Sequence, residues 1–137
     1  MKTTRLATSV SNNMRRIIDQ CYTVVDNEFC IYCGVIADCY DHVPPISAFI
    51  KNAPAFKFAA CTECNSMLSS NSETNLKKRR DYLFKKYYKK YKKVFNMPDW
   101  SIEELNELDS SMRTFVINGL KAKAHITARL LKLKRGK

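Results

Sequence analysis

FCIYCGVIADCYDHVPPISAFIKNAPAFKFAACTECN, residues 29–65, carries a pair of cysteines two residues apart at each end. Cys30 and Cys33 form the first pair, and Cys61 and Cys64 the second. Zinc prefers four soft ligands in a tetrahedron, and each CxxC turn presents two thiolates on one side of the metal. A closed set of four leaves no position for water, so such a Zn²⁺ is structural and takes no part in chemistry. Two disulfides, or buried free thiols, are the alternative, which the spacing and the lack of a secretion signal disfavour. Gly34 follows the first pair and is free to take the left-handed conformation that ends a tight turn. Cys21 and Cys39 fall outside the pairs and read as small buried apolar residues.

Between the pairs, residues 35–41 read as a short strand that enters Asp41-His42. Pro44 and Pro45 bar helix and central strand, so a loop follows. FKFAA at 56–60 reads as a second strand, and a helix begins near Thr62 as the second pair closes. Asp41 and His42 are neighbours, so on a strand they point to opposite faces. To share a site they should sit where the strand ends and the chain turns. A carboxylate and an amide oxygen are hard donors suited to Mg²⁺ or Mn²⁺. An imidazole near neutral pH suits a general base. Base and cation together are what phosphodiester hydrolysis requires. A turn acid beside a loop histidine is the plain alternative, and for an isolated Asp-His it would prevail.

The ordered set CIYCG, DHVPP and CTECNSML resembles the HNH (ββα-metal) endonucleases, in particular the zinc-stapled branch like endonuclease VII. The resemblance covers about residues 29–72. It implies that Asp41 is a ligand of the catalytic divalent metal, that His42 is the general base, and that Asn65 is the second protein ligand. Many members carry a middle Asn, five residues before the second CxxC, that braces the loop behind the histidine. Phe56 holds that place here, and Asn52 is the nearest asparagine. Either the loop is braced differently or catalysis is weakened. A phage or mobile-element origin, in a bacterial host, fits the resemblance.

Around this module the pattern is helical. Residues 9–25 carry Val10, Met14, Ile17, Ile18, Cys21 and Val24 at helical spacing. From Asn75 to Phe95 the stripe is Leu76, Leu83, Tyr87, Tyr91 and Val94, and Pro98 ends it. Ser101 with Glu104 makes a capping box for a next helix. Asp109 to Ser111 interrupt it. Residues 112–133 carry Phe115, Val116, Leu120, Ile126 and Leu130 as an apolar set, and the tail KLKRGK reads as frayed. His125 reads as a surface or core residue, and Glu63 as a solvated carboxylate in preference to a group behind the metal.

The 137 residues suit one domain, with 24 Lys and Arg against 13 Asp and Glu for a net charge of +11. Such an excess points to a polyanion, with an anionic membrane surface as the competing partner. The stretch 77–93, KKRRDYLFKKYYKKYKK, holds ten basic residues and a single acid. Lys77, Lys78, Arg79, Arg80, Lys85, Lys86, Lys89 and Lys90 are therefore expected to contact the phosphate backbone of DNA. A second basic cluster comprises Lys121, Lys123, Arg129, Lys132, Lys134, Arg135 and Lys137. No run of eighteen apolar residues is present, and Met1–Gln20 lacks the apolar centre of a signal peptide, so a cytoplasmic protein with no membrane partner is expected.

The expected fold is α+β in a single domain over 1–137: an N-terminal helix within 1–28, the zinc-stapled ββα-metal module at 29–72, and a basic helical region at 73–137. The expected activity is metal-dependent cleavage of DNA. Two alternatives stay open. One is a zinc-stapled DNA-binding protein without catalysis. The other is a nuclease that resolves branched DNA, which would need a homodimer to make paired cuts.

Overall fold

β-branched side chains crowd a helix and suit a pleated strand, and at Thr23, Val24 and Val25 that preference decides. In the computed structural model, which describes residues 12–69 and 71–136, helix α1 (Asn12–Asp19) gives way to strand β1 (Thr23–Val25). A single helix over 9–25 is thus corrected to a helix, a turn and a strand. The part before Asn12, Val10 included, lies outside the described residues. Met14 and Ile17, read as packing positions, are exposed, as is Cys21. Helix α1 lies instead against a 3₁₀ turn at Ile46–Ala48.

Strands β2 (Cys39–Val43) and β3 (Phe56–Ala60) pair antiparallel, with Cys39 opposite Ala60 and Val43 opposite Phe56. Strand β1 pairs parallel with β3, so the sheet order is β1-β3-β2 and β2 is an edge. The sequence places β2 at 35–41, whereas the structure starts it at Cys39 and runs it through His42 to Val43. The earlier residues close a separate bridge, Phe29 to Ile36, around the first cysteine turn. Gly34 takes the expected left-handed φ of 83° in that turn. The Val43–Pro44 peptide is cis.

Helix α2 (Thr62–Leu68) starts where the sequence places it, capped by Cys61, whose Sγ accepts from the Cys64 N–H at 3.4 Å. Helix α3 (Leu76–Lys90) is capped by Asn75 through the Lys78 N–H at 3.1 Å, and the short α4 (Lys92–Phe95) extends it toward Pro98. Helix α5 (Ile102–Asn106) has the capping box of Ser101 and Glu104. Helix α6 (Ser110–Arg135) begins two residues earlier than expected, because Asp109 caps it by accepting from the Met112 N–H at 2.8 Å. It also continues through most of the tail read as frayed. Leu133 is buried in the last turn, and Gly136 closes the helix with a left-handed φ of 74°.

One buried cluster joins these parts. Cys30, Tyr32, Cys33, Ala60, Cys61, Cys64 and Leu68 meet Leu83 and Tyr87 of α3 and Ile126, Leu130 and Leu133 of α6. Leu76, Tyr91 and Val94 pack against its margin, as the stripe of α3 and α4 requires. In α6, Val116, Ile126 and Leu130 are buried as expected, but Phe115 is 70 % exposed. Among the described residues no helix is long and apolar enough to cross a membrane.

Leu83 is fully buried where α3 meets this cluster. Leu83→Ala is expected to lower stability by about 2–5 kcal/mol, the usual range for deleting a buried leucine side chain. Urea denaturation of the two proteins under identical conditions reads this directly, and a loss under about 1 kcal/mol would contradict the packing described.

Candidate functional site

The two cysteine turns come from opposite ends of the sheet region, and the fold closes them on each other. All four Sγ atoms lie within 4.8 Å of one another, and all four residues are buried. Cys33 Sγ and Cys61 Sγ are 3.6 Å apart. A tetrahedron with metal–sulfur bonds of about 2.3 Å has edges of about 3.8 Å, so the set fits a structural metal such as zinc. Cys39 stays outside, half-buried, with its Sγ 3.4 Å from the Ala60 carbonyl oxygen.

Four thiolates around a dication leave net negative charge in a buried place, and the helices supply cover for it. Tyr87 of α3 brings its hydroxyl to 3.0 Å from Cys64 Sγ. Arg129 of α6 donates from Nη2 to the Tyr87 hydroxyl at 2.8 Å and lies 3.9 Å from Cys61 Sγ. Its other arm donates to Glu63 at 2.8 Å. Arg129 was grouped by sequence with the surface basic cluster. It is 7 % exposed and belongs to the surroundings of the four cysteines. Glu63 is likewise no solvated acid. Lys90, Tyr91 and Arg129 all donate to it. Burial pushes its carboxyl up, but those hydrogen bonds and the Arg129 charge prevail and bring it down to about 2.

Immediately beyond the cysteines is a cleft of about 370 Å³. Asp41 and His42 reach it from β2, and Asn65 reaches it from the first turn of α2, one residue after Cys64. Arg15, Ser47, Ser66 and Ser69 complete much of its lining. The three residues singled out by sequence are therefore brought together. Asp41 and His42 sit near the end of β2, as their adjacency requires, and the strand runs one residue further, to Val43. Because β2 is an edge strand, neighbouring side chains on opposite faces can both border a cleft that runs along its rim.

Their partners differ from expectation. Asp41 is 2 % exposed, and its Oδ2 accepts from the Tyr32 hydroxyl and from Arg79 Nη2, the latter at 2.6 Å. Both bonds fall on Oδ2, so Oδ1 is the oxygen through which Asp41 can serve the cleft. Arg79, read as a contact for DNA phosphates, is corrected. It is fully buried, and it also donates to Tyr32 at 3.1 Å and to the carbonyls of Asn71 and Glu73. It sits at the i−4 position of the Leu83 stripe, so helical geometry turns it inward. Burial, followed by the charge of Asp41, raises the Tyr32 hydroxyl far above its ordinary value and keeps it a donor. Arg80 is half-buried beside Gly136, whereas Lys77, Lys78, Lys85, Lys86, Lys89 and Lys90 are exposed. Lys90 meets Glu63 and Lys77 meets Asp81 across solvent-accessible pairs.

His42 donates from Nε2 to Asp19 Oδ1 at 2.5 Å. Lys57 Nζ reaches both oxygens of Asp19 at 3.1 Å. Tyr22 stands edge-on to the His42 ring, centroids 4.7 Å apart, and its hydroxyl donates to the Pro44 carbonyl at 2.5 Å. Phe56 stacks on Phe58, and Asn52 sits in an exposed turn with φ of 69°. Asp19, Tyr22, Lys57 and Tyr32 escape a sequence reading because nothing in spacing ties residue 19 or 22 to residue 42. His125, the remaining histidine, is exposed beside the first cysteine turn. Comparisons with known proteins return no match: no family model, no curated relative and no solved structure.

The buried pair of Arg79 and Asp41 yields a stability prediction. Arg79→Leu leaves the Asp41 carboxylate buried without its cation and is expected to cost roughly 3–5 kcal/mol. Lys85→Gln on the exposed face of the same helix should change stability by less than about 0.5 kcal/mol. Chemical denaturation of both variants checks the contrast, and equal effects would refute the assignment of Arg79 to the interior.

Proposed function

We propose that this chain is a metal-dependent endonuclease of the HNH type that hydrolyses DNA phosphodiesters. The observation that carries the reading is the meeting of Asp41, His42 and Asn65 at one cleft, with Asn65 following Cys64 of a closed set of four cysteines. The antiparallel pair β2–β3 followed by α2 is the local structure on which a ββα-metal site is built. Zn²⁺ is the metal proposed for Cys30, Cys33, Cys61 and Cys64, where it locks the loop of the first pair to the start of α2.

In this reading Asp41 and Asn65 would hold Mg²⁺ or Mn²⁺, which would supply charge stabilisation for the phosphoryl group and the departing oxygen. His42 removes a proton from the attacking water, and its place on the cleft wall lets the proton move without a change in the fold. Tyr32 and Arg79 fix the Asp41 carboxylate from behind, so its free oxygen is presented in one orientation. Lys77, Lys78, Lys85, Lys86, Lys89 and Lys90 attract the phosphate backbone with little regard to sequence.

A second reading, DNA binding without catalysis, draws its support from Arg79. A guanidinium 2.6 Å from Asp41 already neutralises the carboxylate that a divalent ion would need.

Incubation of the pure protein with supercoiled, linear and branched DNA, in Mg²⁺, Mn²⁺ or EDTA, separates the two. Cleavage that needs the divalent ion is the expected result. His42→Ala should then lose about 10²–10⁴ in rate while DNA binding and metal content stay, because a base matters only when water attacks. A folded wild-type protein that binds DNA yet cuts no form of it in either metal leaves the non-catalytic reading standing.

The zinc assignment is checked separately. Elemental analysis should give about one zinc per chain, and a strong chelator should unfold much of residues 29–72, since site formation and folding are coupled. Absence of bound zinc, or a Cys30–Cys33 disulfide, overturns it.

A further inference from the structure

His42 has two ring nitrogens, and one of them is already engaged. Nε2 meets Asp19 Oδ1 at 2.5 Å, from a helix that precedes the sheet and lies outside the cysteine-framed stretch. Lys57, from the middle of β3, bonds both oxygens of Asp19 and is itself mostly buried. The His42 hydrogen bond, and after it the Lys57 ammonium held on both oxygens, outweigh burial and keep Asp19 a carboxylate. A carboxylate only accepts, so the shared proton belongs to the imidazole. In the neutral ring that proton is the only one, and Nδ1 is left as the lone pair. Tyr22 closes a second side: its ring packs edge-on to the imidazole and its hydroxyl holds the Pro44 carbonyl, two residues beyond. Burial, with the Asp19 charge behind it, lifts that hydroxyl to about 12, so it stays protonated as a donor.

We infer that Asp19 is a positioning residue for the proposed reaction: it fixes the His42 ring and its Nε2–H tautomer, so that Nδ1 is the nitrogen that takes the proton from water. The inference rests on the nuclease reading for its consequence, and on geometry alone for the hold on the ring. It also assigns the bracing of the histidine loop. Phe56 stacks on Phe58 and Asn52 lies in an exposed turn, and the segment from Asp19 to Tyr22 does the bracing from the N-terminal side. Lys57 steadies Asp19 in turn, and touches no part of the reaction.

The chain has two histidines, so ring nitrogens can be followed by ¹⁵N NMR, with His125→Gln identifying the signals of His42. The metal-loaded protein is measured at a pH where both rings are neutral. Wild type is expected to show His42 as the Nε2–H tautomer. Asp19→Ala should release it to a mixture with Nδ1–H. DNA cleavage by that variant should fall about 10–100-fold in kcat, with KM within about twofold, the pattern of a lost orienting contact. Asp19→Asn keeps the volume and covers the case in which the Ala variant loses the fold. Its amide can accept or donate, so it should fall between the two. Unchanged tautomer populations in both variants, or a changed tautomer with kcat unmoved, overturn the inference. Wild type that cuts no DNA removes the nuclease reading instead, and the ring measurement still decides whether Asp19 holds His42.

Discussion

Four sulfurs within 4.8 Å of one another are the constraint on which this molecule depends. The sheet of the described residues has three strands of 3, 5 and 5 residues, so packing against it contributes to its stability. The sulfur set ties the turn at Cys30–Cys33 to the start of α2, and it lies inside the same buried cluster as Leu83, Tyr87, Ile126 and Leu130. The long helices therefore pack on the cysteine centre itself. Tyr87 and Arg129 show how closely the two are fitted, since both place donors against sulfur.

The same architecture explains why basic residues divide into two kinds. Most lysines of α3 stay in solvent, where long side chains and high dielectric cost nothing. Arg79 and Arg129 lie inside, and each meets a carboxylate together with a tyrosine hydroxyl. Guanidinium suits this because its planar fork satisfies several acceptors at once and keeps its charge. One arginine thus backs the cysteine centre and the other backs the cleft. Each couples a C-terminal helix to a polar group on the sheet side. The net charge of +11 is a property of the surface lysines more than of every cation in the chain.

Much of this was legible in the sequence, for reasons that differ by element. Strand β3 and the start of α2 matched because an alternating apolar run and a closing CxxC pair are local signals. The capping box at Ser101 and Glu104 matched for the same reason. The meeting of four cysteines was legible because metal chemistry restricts their spacing. What failed was non-local. A helix over 9–25 gave way to β1, because pairing with β3 satisfies three β-branched residues better than a helical turn. Arg79 was misread because ten basic residues in seventeen positions look alike until a buried carboxylate selects one of them. Asp41, His42 and Asn65 converge on one cleft as read, but their partners Tyr32, Asp19 and Tyr22 carry no sequence mark of their roles.

That division has a physical consequence for how the cleft is assembled. Its chemical groups come from β2, which pairs with β3, and from α2, whose start the cysteines tie to the turn at Cys30–Cys33. The groups that orient them come from elsewhere: Arg79 from α3 behind Asp41, and Asp19 from α1 behind His42. The Arg79 contact is buried and bonded on several sides, so it is rigid. The Asp19 contact is half-exposed, and α1 keeps its apolar side chains Met14 and Ile17 in solvent. Polar contacts from Asp19 to His42 and Lys57, the contact of α1 with the turn at Ile46–Ala48 and the packing of Tyr22 all help to hold this helix. The orientation of His42 thus draws on the N-terminal segment, through Asp19 and Tyr22, whereas the hold on Asp41 draws on α3 through Arg79.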